Sequence, residues 1–308
     1  MPALCQAQRA GRRGPQVGGV KMMGSEYLRR TEDYFEAAPG RKLYFRSWQP
    51  ESPERVIILV HGFGEHSGRY EYFASWFARR GFAVYAHDQQ GHGHSPGKRG
   101  HVDQFADLLD DVERLNEVAR EKHPGLLRVM IGHSMGGLIV TALASERNLH
   151  VDLLVVSGPA LSLSPDISRF KLRLAGLLRY VTPRLAMRAG LDANGLSRDA
   201  KVVREYLEDP LVHDQVTAAM GAGMSDTILR MEGAARGIGV PMLLLHGESD
   251  PLCRVEGSRE FYKNLPREDR PGSEIHTYPD FLHEIFNEIG RDGVYADLLD
   301  WVLRVESL

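Results

Sequence analysis

The chain is poor in cysteine. Its 308 residues contain two, Cys5 and Cys253, far apart in sequence, which excludes a disulfide framework. No apolar run approaches the roughly 18–20 residues that a membrane-spanning helix requires. Charge of one sign is not in excess either: 38 basic against 41 acidic residues give a net charge of −3, so nothing calls for a nucleic-acid partner. The first two dozen residues carry Arg9, Arg12, Arg13 and several glycines but no apolar core of a signal peptide. Residues 1–30 therefore read as a disordered extension, and the cytoplasm is the default location. Repeats and low-complexity tracts are also missing.

What is present is an alternation of strands and helices, with 43% hydrophobic and 26% charged residues, as in an ordinary globular enzyme. Asp33–Ala37 and Lys42–Trp48, joined at Pro39-Gly40, predict an antiparallel hairpin. Val56–Val60 is a continuous aliphatic run, the mark of a strand buried on both faces. A helix over about 70–80 and a strand over 82–86 follow. Phe105, Leu108, Leu109, Val112, Leu115 and Val118 then recur mostly at spacings of three and four, predicting an amphipathic helix. Further strands are expected at Leu126–Ile131, Leu153–Ser157, Met242–His246 and Glu274–Tyr278, with helices near 138–145, 257–264 and 294–305. From about 160 to 238 the alternation breaks into helical stretches without a convincing strand. The fold expected is α/β: a mostly parallel sheet with helices on both faces, spanning residues 31–308, with a helical cap inserted at about 160–238.

Gly132-His133-Ser134-Met135-Gly136 lies between the predicted strand ending at Ile131 and the helix beginning near Leu138. In that setting G-x-S-x-G reads as a nucleophile elbow, a serine held out of the sheet on a tight turn with small neighbours. A serine hydroxyl needs a base, and the base needs an orienting acid; in this fold they follow in the order Ser, Asp, His. Only His276 and His283 lie beyond residue 250. His276 falls inside a strand, whereas His283 follows the turn after it and is the better base. Asp250, four residues past the strand run Met242–His246, is the candidate acid, with Asp280 as its rival. An oxyanion hole needs two backbone N–H groups. Met135, after the serine, supplies one; Phe63, in the strand-ending loop His61-Gly62-Phe63-Gly64, supplies the other. His87, Asp88, His92 and His94 fit a glycine-rich loop better than a metal site, so neither metal nor cofactor is expected.

Three stretches carry a resemblance: His61–Tyr70 (HGFGEHSGRY), Ala86–Ser95 (AHDQQGHGHS) and Gly132–Gly137 (GHSMGG). With the rest of the chain from about Asp33 onward, they resemble the monoacylglycerol lipases of the serine α/β-hydrolase superfamily. The resemblance implies the same triad, Ser134, Asp250 and His283, and the same oxyanion residues, Phe63 and Met135. It implies that the segment after Pro159 caps an acyl-chain tunnel, and that Glu65, Arg69 and Tyr206 form the polar end receiving glycerol. Glu65 and Arg69, four apart, also read simply as a surface ion pair. Animal members carry a second histidine three residues after the catalytic one; here that position is Phe286, which looks more like the bacterial relatives.

The activity expected is hydrolysis of monoacylglycerols through an acyl-enzyme. The alternatives are a broader carboxylesterase or lysophospholipase with the same triad, or a non-catalytic lipid-binding relative. Cys253, three residues past the acid, is expected near the pocket. Between Asp166 and Asp192 the chain has six bases, Arg169, Lys171, Arg173, Arg179, Arg184 and Arg188, interleaved with apolar residues and no acid. That pattern predicts transient contact of the cap with a membrane surface.

Overall fold

The computed structural model describes residues 28–147, 149–163, 176–266 and 271–308. Its centre is an eight-stranded sheet. In chain order the strands are β1 (Arg29–Ala38), β2 (Arg41–Gln49), β3 (Arg55–Val60), β4 (Phe82–His87), β5 (Leu127–His133), β6 (Leu153–Ser157), β9 (Met242–Gly247) and β10 (Glu274–Tyr278). Their order across the sheet is β1-β2-β4-β3-β5-β6-β9-β10. The pairs β1·β2 and β2·β4 are antiparallel, and every later pair is parallel.

Both faces are covered, which is why the central strands read as unbroken apolar runs rather than alternating ones. Val56, Ile58 and Val60 of β3 pack with Leu108, Val112 and Leu115 of α2 (Ala106–Lys122) and Leu138 and Ile139 of α3 (Met135–Glu146). Ile57 and Leu59 point the other way. They join Phe73 and Phe77 of α1 (Glu71–Ala78) and Leu298, Trp301 and Val302 of α8 (Arg291–Glu306). Each such fully buried aliphatic or aromatic side chain contributes roughly 1.5–3 kcal/mol. The period of two within β3 thus divides one run between two cores.

Between β6 and β9 lies the insertion. Its described parts are a helical segment over 176–181 (α4), β7 (Ala186–Arg188), α5 (Ala200–Glu208), β8 (Gln215–Thr217) and α6 (Ala218–Ala234). The sequence reading of this stretch as strandless is corrected here: β7 and β8 pair antiparallel. At three residues each, they are too short for a period-two pattern to register. Arg29 and Arg30, expected in the N-terminal extension, lie in β1, where Arg29 pairs with Gln49 and Arg30 with Trp48. Residues 1–27 of the expected N-terminal extension lie outside the described residues, as do Arg169, Lys171 and Arg173.

The order reverses at β3, whose neighbours are β4 on one side and β5 on the other. In an open α/β sheet the crevice at such a switch point, beyond the carboxyl ends of the strands, is where ligands bind. The HGFG loop leaves β3 there, and the serine turn leaves β5 beside it.

Candidate active site

Ser134 caps α3 with φ 54° and ψ −117°. A positive φ on a residue with a Cβ costs on the order of 1–3 kcal/mol and survives only where its surroundings impose it. Here they do. The Ser134 N–H donates to the Ser157 carbonyl (3.0 Å), and its own carbonyl accepts from the amides of Leu138 (3.1 Å) and Ala160 (3.2 Å). Glycine is required on either side: a Cβ at Gly132 would lie 2.4 Å from the Gly136 oxygen, and one at Gly136 only 2.2 Å from the Val60 oxygen. The start of α3 is therefore pressed onto the end of β3. Met135 is the first residue of that helix, so its N–H has no acceptor within the helix.

The loop after β3 passes directly against the serine, since a Cβ at Gly62 would come 3.2 Å from the Ser134 Cβ. Phe63 is next in line. His61 anchors this loop from below. Its Nε2 accepts the Gln89 N–H (3.0 Å), which leaves Nδ1 to donate to the Gly62 carbonyl (2.7 Å). Burial lowers the pKa of His61 and keeps the ring neutral.

Asp250 and His283, on the loops after β9 and β10, meet across the sheet edge. The His283 Nδ1 donates to Asp250 Oδ2 at 2.7 Å, while Asp250 Oδ1 accepts the backbone N–H groups of Leu252 (2.8 Å) and Cys253 (2.9 Å). For Asp250, burial opposes ionisation, but the His283 charge and these hydrogen bonds outweigh it and hold the carboxyl far below its usual range. An ionised carboxylate only accepts, so Nδ1 carries a proton, and in the neutral ring the lone pair is left on Nε2. For His283, burial opposes the charged ring, yet Asp250 more than offsets it and the pKa is raised. The His133 ring packs 4.7 Å from that of His283, and burial lowers its own pKa to about 4. The two rivals lie elsewhere. His276 bonds Glu274 (2.9 Å), and Asp280 is an exposed turn residue with φ 62°.

Glu65, Arg69 and Tyr206 are brought together as well. Glu65 Oε1 accepts the Gly62 N–H (2.7 Å) and the Tyr70 hydroxyl (2.7 Å), and Oε2 takes Arg69 Nη1 (2.8 Å). The Arg69 guanidinium lies 4.8 Å from the centre of the Tyr206 ring. Its other partner is Glu284, bound through both Nη1 (2.5 Å) and Nη2 (2.8 Å). Burial opposes ionisation of Glu65, but Arg69 overrides it and draws its pKa down to about 2.

Two members of this constellation were not singled out from the sequence. Glu284 follows His283 directly, but its partner is 215 residues away and no local pattern marks it. His246, the last residue of the strand run Met242–His246, sits behind Asp250 with Nε2 2.7 Å from the Cys253 carbonyl and 3.2 Å from Asp250 Oδ2. The Cys253 thiol interacts with the Ser134 side chain; burial and the Asp250 charge push its pKa far up, so it is kept as the weakly reactive thiol. In the loop after β4 the Asp88 carboxylate accepts from Ser67 of a neighbouring loop and from the His94 N–H (2.8 Å), while both ring nitrogens of buried His87 and Nε2 of His92 have no hydrogen-bond partner among the described residues. Among the described residues no three His, Cys, Asp or Glu side chains converge as a metal ligand set.

Comparison with known proteins places the chain as a whole. Residues 51–290 match the family model described as serine aminopeptidase, S33. The monoacylglycerol lipase of Mycolicibacterium smegmatis is 34% identical over 89% of this chain and 97% of its own length. Human monoglyceride lipase is 32% identical over 86% and 88%. The crystal structure of the Paleococcus ferrophilus monoacylglycerol lipase superposes with a TM-score of 0.76 at 36% identity, covering 85% of this chain and 99% of that one.

Proposed function

The chain belongs to the monoacylglycerol lipase group of serine α/β hydrolases, and from that membership we infer that it is a carboxylic ester hydrolase that cleaves monoacylglycerols to fatty acid and glycerol. The observation that carries the assignment of roles is the 2.7 Å bond from His283 to Asp250 at the sheet edge shared with the strained Ser134. In the proposed cycle His283 Nε2 takes the Ser134 proton as Oγ attacks the ester carbonyl carbon. The negative charge that develops on the carbonyl oxygen is received by the N–H groups of Phe63 and Met135. Collapse breaks the ester C–O bond, and His283 returns the proton to the departing glycerol oxygen. Water, deprotonated by the same histidine, then attacks the acyl carbon; the bond from that carbon to Ser134 Oγ breaks, His283 returns the proton to Oγ, and the fatty acid leaves.

A triad fits many acyl donors, and the matching family description names a peptidase, so the substrate class rests on the relatives. The test is a side-by-side measurement on monoacylglycerol, diacylglycerol, triacylglycerol, lysophospholipid and a nitrophenyl ester. Monoacylglycerol is expected to be fastest and triacylglycerol slowest; the reverse order would defeat the reading that residues 160–238 cap a single-chain tunnel. Glu65, Arg69 and Tyr206 are proposed as the polar end that receives glycerol. Because the first two are tied to each other, Tyr206 is the cleaner probe. Tyr206→Phe removes the hydroxyl proposed to bond glycerol and is expected to cut monoacylglycerol kcat/KM about three- to tenfold, with a smaller loss on the nitrophenyl ester. Equal losses would assign Tyr206 to the scaffold.

We also propose that the insertion rests transiently on a membrane surface. Its support is a run of exposed apolar side chains, Leu177, Tyr180, Val181, Leu185 and Met187. The bases beside them are less available than the local sequence implies, because carboxylates from elsewhere in the chain approach them. Arg179 pairs with Asp226, Arg188 with Asp214 (3.1 Å), and Arg184 comes within 3.8 Å of Asp103. Apolar contact is thus the main attraction. Co-sedimentation with vesicles is expected to rise with anionic lipid and fall with salt. It is expected to weaken more in Leu177→Ser/Tyr180→Ser/Val181→Ser, roughly tenfold or more, than when Arg169, Lys171 and Arg173 become glutamine. No binding at low salt would end the docking proposal and leave the hydrolase assignment intact.

A further inference from the structure

Arg69 is half-buried between two buried carboxylates that belong to different functional loops. Glu65 holds the Gly62 N–H, one residue before the proposed oxyanion donor Phe63. Glu284 is the residue after the proposed base and is buried. Its carboxylate grips the guanidinium at both nitrogens and also accepts from Asn287 (3.0 Å). A fork-to-fork pair of this kind fixes direction as well as distance. The backbone continues the restraint: the His283 N–H donates to the Gly195 carbonyl (3.2 Å) and the Glu284 N–H to that of Leu196 (2.8 Å).

We propose that Glu284 is a positioning residue: through Arg69 it locks the histidine loop to the oxyanion loop, and its negative charge favours the imidazolium formed at His283 in each half-reaction. The inference rests on His283 being the base. Two carboxylates share one guanidinium, so the cluster carries a net negative charge into a buried region where charges are weakly screened. The other groups facing His283 are Asp250 from the loop after β9, which donates nothing and attracts the ring proton, and the neutral His133 from the end of β5. Behind them stand Cys253 and His246, both in contact with Asp250. Glu65 and Glu284 both act to raise the His283 pKa, after Asp250 in weight.

Glu284→Gln keeps the shape and a hydrogen bond to Arg69 but removes the charge. The sign follows: with less support for the imidazolium, the base stays neutral to lower pH. The acid limb of kcat/KM is expected to move down by roughly half a unit to one unit. In the same variant kcat falls about tenfold while KM for a soluble nitrophenyl ester holds, since a transition-state interaction is lost. Glu284→Asp keeps the charge and shortens the reach; it is expected to leave the acid limb in place while lowering kcat, and it serves as the test if the glutamine chain does not fold. Titration of the reactive serine with a fluorophosphonate normalises both rates to folded enzyme. A lower kcat with an unmoved acid limb in Glu284→Gln, or wild-type kinetics, would overturn the proposal. His283→Ala separates the two levels. If it retains activity, the assignment of the base fails; if it is inactive while Glu284→Gln is unaltered, only this inference fails.

Discussion

Ser134→Ala is expected to fold, to keep the sheet and its two cores, and to turn over ester about four to six orders of magnitude more slowly than the parent. The size follows from the members acting as a unit, so that His283→Ala costs about as much as the serine change and the double variant little more. Stability is expected to hold or rise slightly. The substitution removes no main-chain bond at the turn, and the amide and carbonyl contacts of residue 134 with Ser157, Leu138 and Ala160 do not involve its side chain. The strained φ of 54° remains in either variant, since alanine has the same Cβ. Thermal unfolding and single-turnover rates on one preparation check both halves. Near-normal turnover in purified Ser134→Ala would remove the central claim.

Asp250→Asn is expected to cost about four orders of magnitude in kcat, and the reason lies in a count of donors. Oδ1 of the native carboxylate takes two backbone N–H groups, while Oδ2 faces His283 Nδ1 and His246 Nε2. An amide has one acceptor oxygen and one donor nitrogen. If the oxygen stays with Leu252 and Cys253, the NH₂ confronts two ring N–H groups. His283 escapes by moving its proton to Nε2, which turns the base into the wrong tautomer. Without the anion the imidazolium also loses its main support, so the residual activity is expected to follow a lower pKa than the parent. The pH profile of the surviving rate tests that sign. A loss of only a few-fold would mean that another group orients His283.

The features legible in the sequence are those whose cause is local. The elbow is written in five consecutive residues, because a positive φ and a close approach of two backbones demand glycine within two positions of the serine. The central strands and the amphipathic α2 are legible because burial on two faces or one imposes a period. Asp250 and His283 needed the known order of the fold as well, since neither is distinguished by its neighbours. Glu284 and His246 were not found for the opposite reason: each acts through a partner brought close only by the sheet. Likewise β7 and β8 were missed, being short and held by one another rather than by a hydrophobic pattern. Arg179, Arg184 and Arg188 look unopposed in the local sequence because their carboxylates, Asp226, Asp103 and Asp214, lie outside the segment between Asp166 and Asp192.

The short turn Ala193–Gly195 has a bearing on how such proteins diversify. An insertion between β6 and β9 looks like a cassette that recombination or design can exchange for another. This one is not freely portable. Its Gly195 and Leu196 carbonyls receive the amides of His283 and Glu284, and a Cβ at Gly195 would lie 2.6 Å from the Pro251 ring. A donor cassette lacking that glycine and those two carbonyls would bring a new pocket and leave the histidine loop without its rest. In this chain, exchange of the insertion is therefore constrained to substitutions or loop changes that spare residues 193–196, and a chimera is expected to regain turnover when that turn is grafted back.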